Sequence, residues 1–296
     1  MLVKVPDGEA SVEIVPGGPT RLLWFEGGPG FNAHLGRPDV ELLSERATAY
    51  LIDAPGAGGS TPPAGEQGYS AAATAGFYEQ VRRALGLGRV TVAGHSWGGT
   101  VALTYAAAFP EACERLLLIS PFAGTFADES QEAVEVHGAA FARHSQQPWF
   151  ADAQAAFDSY GHPDVDDPGL VRERFSSAWP LYFAYPDAPA SRHHIERLRR
   201  EFTLDPAAGQ AAMRFAYDQV DTRLLPAVTC PALVMAGGLD IVCGVPHAQA
   251  IARTIPNVTL RVFPDCGHMP QYEEPEAFTK TVYDWWDATD PPERSQ

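Results

Sequence analysis

The chain has 296 residues, 45% of them hydrophobic, which is enough to bury a sizeable core in one large domain or two smaller ones and excludes a disordered chain or a small disulfide scaffold. Lys and Arg number 21 against 37 Asp and Glu, a formal charge of −16 with no basic block, so phosphate backbones and anionic lipid surfaces are repelled and nucleic acid is not an expected partner. No stretch approaches the roughly 18 apolar residues of a membrane span, and MLVKVPDGEA carries no apolar signal core, which makes a soluble, cytoplasmic protein with no membrane partner the expectation.

In chain order, short apolar runs alternate with amphipathic ones. RLLWF (21–25), ATAYLID (47–53), RVTVAG (89–94) and RLLLIS (115–120) read as strands bounded by Gly, Pro or Asp. Between them, residues 70–86 place Ala73, Phe77, Val81, Ala84 and Leu85 at helical spacing, and the Ala-rich stretch 97–109 stops before Pro110. From about 122 to 225 the texture changes to helical periodicity, aromatic clusters and many charges, with no strand pattern. Alternation resumes with PALVMAG (231–237), a helix near 246–255, TLRVF (259–263) and an amphipathic helix over 275–288. Strands alternating with helices predict a parallel sheet with helices on both faces. The expectation is one α/β core in two pieces, 1–121 and 226–296, interrupted by a helical cap over 122–225. The four cysteines, Cys113, Cys230, Cys243 and Cys266, form no C-x-x-C pair and read as free thiols, without zinc knuckle or disulfide framework.

The strongest local signal is Gly94-His95-Ser96-Trp97-Gly98, a G-x-S-x-G directly after RVTVA and opening the helix GTVALTYAAAF. In a nucleophile elbow the serine occupies a strained strand-to-helix turn, and the flanking glycines are needed because a Cβ there strikes the neighbouring strand or helix. A serine hydroxyl is a weak nucleophile and needs a base that a carboxylate orients. In the order Ser…Asp…His, Asp240 follows PALVMAGGL and His268 follows TLRVFPDCG, both at the C-terminal ends of predicted strands. Asp265 is the rival acid, more suited to turn formation, and His95 is expected to point away from the serine into packing. Glu26-Gly27-Gly28-Pro29-Gly30, after RLLWF, suits an oxyanion hole built from the backbone N–H groups of Gly28 and Trp97. As a phosphate cradle the loop lacks the following Lys-Ser/Thr, and no cofactor or metal is expected.

Together, GGPG (27–30), DAPGAGGS (53–60), GHSWGG (94–99), GGLD (237–240) and CGHMPQYEEPEAF (266–278) resemble an α/β-hydrolase of the proline-iminopeptidase-like family. The resemblance spans both core pieces and implies an α/β-hydrolase fold, mostly parallel, with an inserted helical cap. It implies Ser96, Asp240 and His268 as the catalytic triad, Gly28 and Trp97 as the oxyanion hole, and Asp53 and Ser60 as braces of the loop after a core strand. Two departures stand out. The family's histidine before GGPG is Glu26 here. The cap segment W-x-x-W-E, whose glutamate holds a substrate's free α-amino group in true proline iminopeptidases, reads Trp179-Pro180-Leu181-Tyr182-Phe183, with an apolar ring at the glutamate's place.

The expectation is therefore a metal-free serine hydrolase acting on a small-molecule or short-peptide substrate, an esterase or amidase, with its oligomeric state open. Glu26, Trp179, Tyr182 and Phe183 are the candidate substrate-binding residues. A true prolyl or aminoacyl iminopeptidase is the alternative, with Glu173, Asp187, Glu196 or Glu201 supplying the missing carboxylate. A slow-turnover ligand-binding protein, or a lyase, acyltransferase or cyclase on the same triad, are alternatives of other classes. Trp149, Phe175 and Tyr185 are further cap aromatics that either line a pocket or pack the cap on the core, and Trp285 and Trp286 read as packing.

Overall fold

The computed structural model describes residues 1–122, 131–159, 172–173, 175–216 and 222–290. Eight strands form one sheet in the order β1-β2-β4-β3-β5-β6-β7-β8: β1 Leu2–Val5, β2 Gly8–Val15, β3 Thr20–Phe25, β4 Ala47–Ile52, β5 Val90–His95, β6 Cys113–Ile119, β7 Ala232–Gly237 and β8 Val258–Phe263. From β4 to β8 every neighbouring pair is parallel, while β1–β2 and β2–β4 are antiparallel. β5 and β7 are buried at every position, because helices cover both faces and a central parallel strand has no solvent side. The edge strand β8 alternates instead.

The helices, numbered here in chain order, are α1 Arg37–Glu41, α2 Ala71–Ala84, α3 Trp97–Ala108, α4 Gln131–Ala142, α5 Phe150–Asp158, α6 Pro189–Glu201, α7 Pro206–Ala216, α8 Gly244–Thr254, α9 Pro270–Glu273 and α10 Pro275–Thr289. Ser70 caps α2 by accepting a hydrogen bond from the Ala73 N–H at 3.2 Å, which satisfies one of the orphan donors of the first turn. On one face of the sheet, Phe77, Tyr78 and Val81 of α2, Val101 and Leu103 of α3, and Ile251 of α8 pack over the inward residues of the strands. On the other, Val40 of α1 joins Phe278, Val282, Trp285 and Trp286 of α10. None of the helices is long and apolar enough to cross a membrane, among the described residues.

Between β6 and β7 the described residues form helices and turns and no strand of the sheet. Residues 123–130, 160–171, 174 and 217–221 of the expected insertion lie outside the described residues. An aromatic cluster joins this stretch to the rest, with Phe31 and Leu35 meeting Phe175, Trp179, Phe202, Ile195 and Leu198, and Met269 and Tyr272 below them. One isolated bridge, Phe31 to Leu204, adds a backbone contact.

The sequence reading missed the β1–β2 hairpin. Its two-residue turn is Pro6-Asp7, and Val5 pairs with Gly8. Alternation in β2 buries Ala10, Val12 and Val15 and leaves Ser11 and Glu13 partly exposed, an amphipathic antiparallel strand rather than the continuous apolar run of a buried parallel one.

Two glycines set opposite expectations. A Cβ at Gly98 would lie 2.0 Å from the Phe25 carbonyl oxygen and 2.5 Å from that of Glu26, backbone atoms that cannot swing aside. Gly98→Ala is therefore expected to lower stability by about 3 kcal/mol or more. Gly76, inside α2 with nothing within 4 Å of its built Cβ, is expected to gain roughly 0.5–1 kcal/mol on replacement by Ala. Urea unfolding of both variants checks the pair, and equal effects would contradict it.

Candidate active site

Ser96 is the single residue between β5 and α3, at φ 54 and ψ −124. A non-glycine residue there is strained, and such strain persists only where the surroundings over-determine it. The surroundings do so. The Ser96 N–H donates to the Ile119 carbonyl at 2.9 Å, and the Ser96 carbonyl accepts from the N–H of Gly99 at 2.9 Å and of Thr100 at 3.3 Å. A Cβ at Gly94 would sit 2.2 Å from the Gly98 carbonyl oxygen, so both glycines of the pentapeptide are needed for the turn to close. Ser96 and Trp97 keep partial exposure while their neighbours are buried.

Asp240 and His268 come together from loops after β7 and β8. The Asp240 Oδ2 lies 2.8 Å from His268 Nδ1, and Asp240 Oδ1 accepts from the N–H groups of Val242 at 2.7 Å and Cys243 at 3.2 Å. Both side chains are about 1% exposed. Burial alone would raise the Asp240 carboxyl, but the adjacent imidazole and the amides of Val242 and Gly244 outweigh it and hold the group at about 2. The ionised carboxylate can only accept, so Nδ1 carries the proton and Nε2 is left as the basic nitrogen. That Nε2 is buried and has no hydrogen-bond partner among the described residues. Asp265, the rival acid, is exposed and makes no bond to the ring among the described residues.

His95 does more than pack. Its Nε2 donates to the His268 carbonyl at 3.1 Å, and the two rings lie 4.8 Å apart. Burial, with His268 beside it, pushes the His95 ring down to about 3, so it stays neutral and serves as a donor to the His268 backbone. The sequence held one cue, its place beside the serine, and gave no means to see the partner.

The Gly27-Gly28 loop lies against this turn, since a Cβ at Gly27 would be 3.2 Å from His95 Nδ1 and 3.3 Å from Ser96 Cβ. Gly28 has φ +78, and a side chain there would strike the Phe31 ring at 2.3 Å. The loop is tied outward. Asp205 N–H donates to the Gly30 carbonyl at 2.9 Å, Asn32 N–H to that of Thr203 at 3.4 Å, and Thr203 N–H to Asn32 Oδ1 at 3.0 Å. Asp53 accepts from Ala33 and Gly59, and the Ser60 hydroxyl donates to the Asp53 carbonyl.

Glu26 is engaged by its neighbours. Its Oε1 accepts from Gly27 N–H at 2.8 Å and its Oε2 from Trp24 Nε1 at 2.9 Å, and Gly36 closes over it so tightly that a Cβ would lie 2.3 Å from Oε2. Burial and the nearby Asp39 carboxyl raise Glu26 to about 8. Burial also raises Asp39, to about 6, against the Tyr272 hydroxyl, which donates to it at 2.6 Å, and the Arg197 charge. Arg197 completes the group by donating to the Tyr272 oxygen at 2.9 Å.

Of the candidates between β6 and β7, Tyr182 meets His268 in a T-shaped arrangement, with ring centroids 5.4 Å apart. Trp179 is buried against Phe31, Phe175 and Phe202, its indole nitrogen without a hydrogen-bond partner among the described residues. Phe183 is fully buried in the same cluster. Glu173, Asp187 and Glu196 are exposed, and Glu201 pairs with Arg197 at 3.1 Å. Tyr185 is exposed beneath the Arg143 guanidinium, and Trp149 packs beside Ala153 and Leu181.

All four cysteines are free and buried, with the sulfurs of Cys113 and Cys230 3.5 Å apart. Asp240, Cys243 and His268 place three potential ligand atoms within 4.8 Å of one another. The Asp240–His268 hydrogen bond and the two amides on Asp240 Oδ1 already engage both carboxylate oxygens and the imidazole Nδ1.

Sequence reasoning also passed over Glu273. Its carboxylate accepts from the N–H groups of Gly267 at 2.6 Å and Ala184 at 2.7 Å. It stands in the quoted segment CGHMPQYEEPEAF, where charge next to the histidine was the only available signal.

Comparison with known proteins bears on the family and the fold. A proline iminopeptidase of Lactobacillus delbrueckii subsp. bulgaricus is 25% identical over 279 residues, 89% of this chain and 88% of that protein. The solved structure of a thermophilic esterase from Thermogutta terrifontis, with malate bound, is 25% identical, with a TM-score of 0.72 over 98% of this chain and 99% of that one. A proline iminopeptidase structure from Mycobacterium smegmatis, at 24% identity and a TM-score of 0.69 over 98% and 99% of the two chains, bears on the fold alone. The family model for the alpha/beta hydrolase fold matches residues 14–275, from the end of β2 to the start of α10. The resemblance to proline-iminopeptidase-like enzymes thus has full-length relatives behind it, and the chain belongs to the alpha/beta hydrolase fold family.

Proposed function

We propose that this chain is a serine hydrolase that cleaves an ester or amide bond of a small-molecule or short-peptide substrate through an acyl-enzyme, acting in the cytoplasm. The observation that carries the reading is the buried Asp240–His268 pair, joined at 2.8 Å, whose Nε2 is unpaired among the described residues and whose backbone carbonyl is held by His95, the residue before the strained Ser96. In this reading residues 1–121 and 226–296 form the catalytic core and 122–225 a helical cap over it. Free thiols suit a reducing compartment.

Ser96 Oγ attacks the substrate carbonyl carbon while its proton passes to His268 Nε2, and Asp240 steadies the imidazolium. The oxyanion accepts from the N–H groups of Gly28 and Trp97. His268 then gives its proton to the leaving group, and a water activated by the same nitrogen frees the acyl group and regenerates the hydroxyl. Tyr182, beside the imidazole, is the cap residue best placed to touch substrate, with Trp179 behind it.

An ester or simple amide suits this site better than an N-terminal residue with a free amine. Recognising that ammonium needs an available carboxylate. Phe183 is buried and apolar where the iminopeptidase glutamate would stand, and Glu26 already accepts from Trp24 and Gly27. Both observations favour the esterase-like relative over the iminopeptidase.

Ser96→Ala is expected to keep its circular dichroism and lose turnover of a p-nitrophenyl ester by about 10⁴-fold or more; undiminished turnover would remove the serine from the mechanism. The wild-type protein is expected to hydrolyse short p-nitrophenyl esters with higher kcat/KM than proline p-nitroanilide, and the reverse order would restore the iminopeptidase reading.

Glu26 gives a third expectation. A folded-state carboxyl raised from 4.5 to about 8 binds its proton more tightly than the unfolded chain does, so its contribution is present at low pH and is lost as pH climbs through that range. Glu26→Gln is expected to flatten the decline of stability between about pH 5 and 8, measured by urea unfolding. A slope identical to wild type would place that proton elsewhere.

A further inference from the structure

Glu273 ends the short helix α9, five positions past His268, and its carboxylate turns back across two separate stretches of chain. Oε2 accepts from the N–H of Gly267, the residue before His268, at 2.6 Å, and Oε1 accepts from the N–H of Ala184 in the cap stretch at 2.7 Å. Burial raises the Glu273 carboxyl to about 7, against the amides of Gly267, Ala184 and Tyr185, which favour its anion. Between these anchors the His268 N–H donates to the Tyr182 carbonyl at 2.8 Å. The two stretches touch so closely that a Cβ on Gly267 would lie 2.7 Å from the Ala184 nitrogen and 2.8 Å from the Tyr182 oxygen. The loop carrying the imidazole and the cap stretch carrying Tyr182 are thus laced along their backbones. The T-shaped pairing of the Tyr182 and His268 rings continues that contact into the side chains.

Chemistry selects a carboxylate here. Two N–H donors, from different parts of the chain, each need an acceptor away from water, and an ionised carboxylate offers one oxygen to each through charge-assisted bonds. An amide offers one oxygen and one NH2, so it would set donor against donor at Gly267 or at Ala184.

Resting on the serine-hydrolase reading, we propose that Glu273 is a positioning residue that locks the cap stretch Tyr182–Tyr185 to Gly267–His268, so that the imidazole is aligned for proton transfer only while the cap stretch is seated. Glu273 touches neither substrate nor the reacting atoms and acts through the two backbones it holds. Seating of substrate against Tyr182 and alignment of the base thereby become one event.

The test measures steady-state p-nitrophenyl ester hydrolysis, the rate of covalent labelling by a fluorophosphonate, and the downfield proton signal of the His268 Nδ1–H bond, for wild type, Glu273→Gln, Glu273→Asp and Ser96→Ala. Glu273→Gln is expected to lower kcat and the labelling rate by about 10- to 100-fold, as a misplacement of about 1 Å can, with KM within about threefold and the downfield signal shifted or broadened. Glu273→Asp keeps two acceptor oxygens on a shorter arm and is expected to recover part of the loss. Wild-type kcat and labelling rate in Glu273→Gln, whatever its melting temperature, would overturn the proposal and leave Glu273 structural. If Glu273→Gln does not fold, Glu273→Asp decides alone, and wild-type kcat with an unmoved downfield signal overturns the proposal. Failure of the underlying reading looks different, as turnover that survives Ser96→Ala.

Discussion

Close contact between the start of α3 and the ends of β3 and β5 is the constraint on which the site depends. At Gly94 and Gly98 there is no space for even one carbon, the built Cβ atoms falling 2.2 and 2.0 Å from carbonyl oxygens. This contact forces the chain to reverse within one residue and leaves Ser96 at positive φ. A single added methyl would push the helix off the sheet and relax that turn. The strain is sustained by the pairing of β5 with β6, since the Ser96 N–H is held by Ile119 at the end of the neighbouring strand. Sheet stability and serine geometry are the same set of hydrogen bonds seen from two sides.

Around this turn, polar groups are spent on holding backbone. His95 fixes the His268 carbonyl, Asp53 fixes Ala33 and Gly59, Glu26 fixes Gly27, and Glu273 fixes Gly267 and Ala184. A buried acceptor or donor left unmade costs about 1–3 kcal/mol, so each such bond is a strong restraint on a loop with no regular structure of its own. His268 Nε2 is the exception among these groups. Its ring is pinned through Nδ1, through its own backbone and through the neighbouring rings, and the nitrogen itself remains available. A base needs that combination of rigid placement and an open lone pair.

Much of this was legible in the residues. The central parallel strands announced themselves because a strand covered on both faces must be apolar nearly throughout, as RVTVAG and PALVMAG are. G-x-S-x-G, GGLD and the histidine after TLRVF marked the ends of those strands, where the sheet delivers its loops. The N-terminal hairpin was not legible, because antiparallel strands with one wet face alternate over too few residues to stand out. The partners of Glu26, His95 and Glu273 were hidden for a different reason. Each bonds to a backbone group, and a backbone N–H or C=O has no letter in the sequence. Glu26 read as a carboxylate facing substrate, yet Trp24 Nε1, two residues away, is one of its donors.

β6 and β7 are parallel neighbours, with Leu116 paired to Ala232, and parallel neighbours always require a long return path over the sheet. The helical stretch between them occupies a connection that the topology already demands, so its length and sequence are decoupled from strand register. Beside the aromatic packing on Phe31 and the Arg197–Tyr272 bond, its backbone stations are few: groups at Tyr182 and Ala184 for the histidine loop, and at Thr203 and Asp205 for the glycine loop. A foreign segment that presents those four stations and an apolar face to Phe31 and Leu35 would seat on this scaffold, and on the proposed reading the choice of molecule converted is then rewritten in one exchangeable module while the residues beneath it stay as they are.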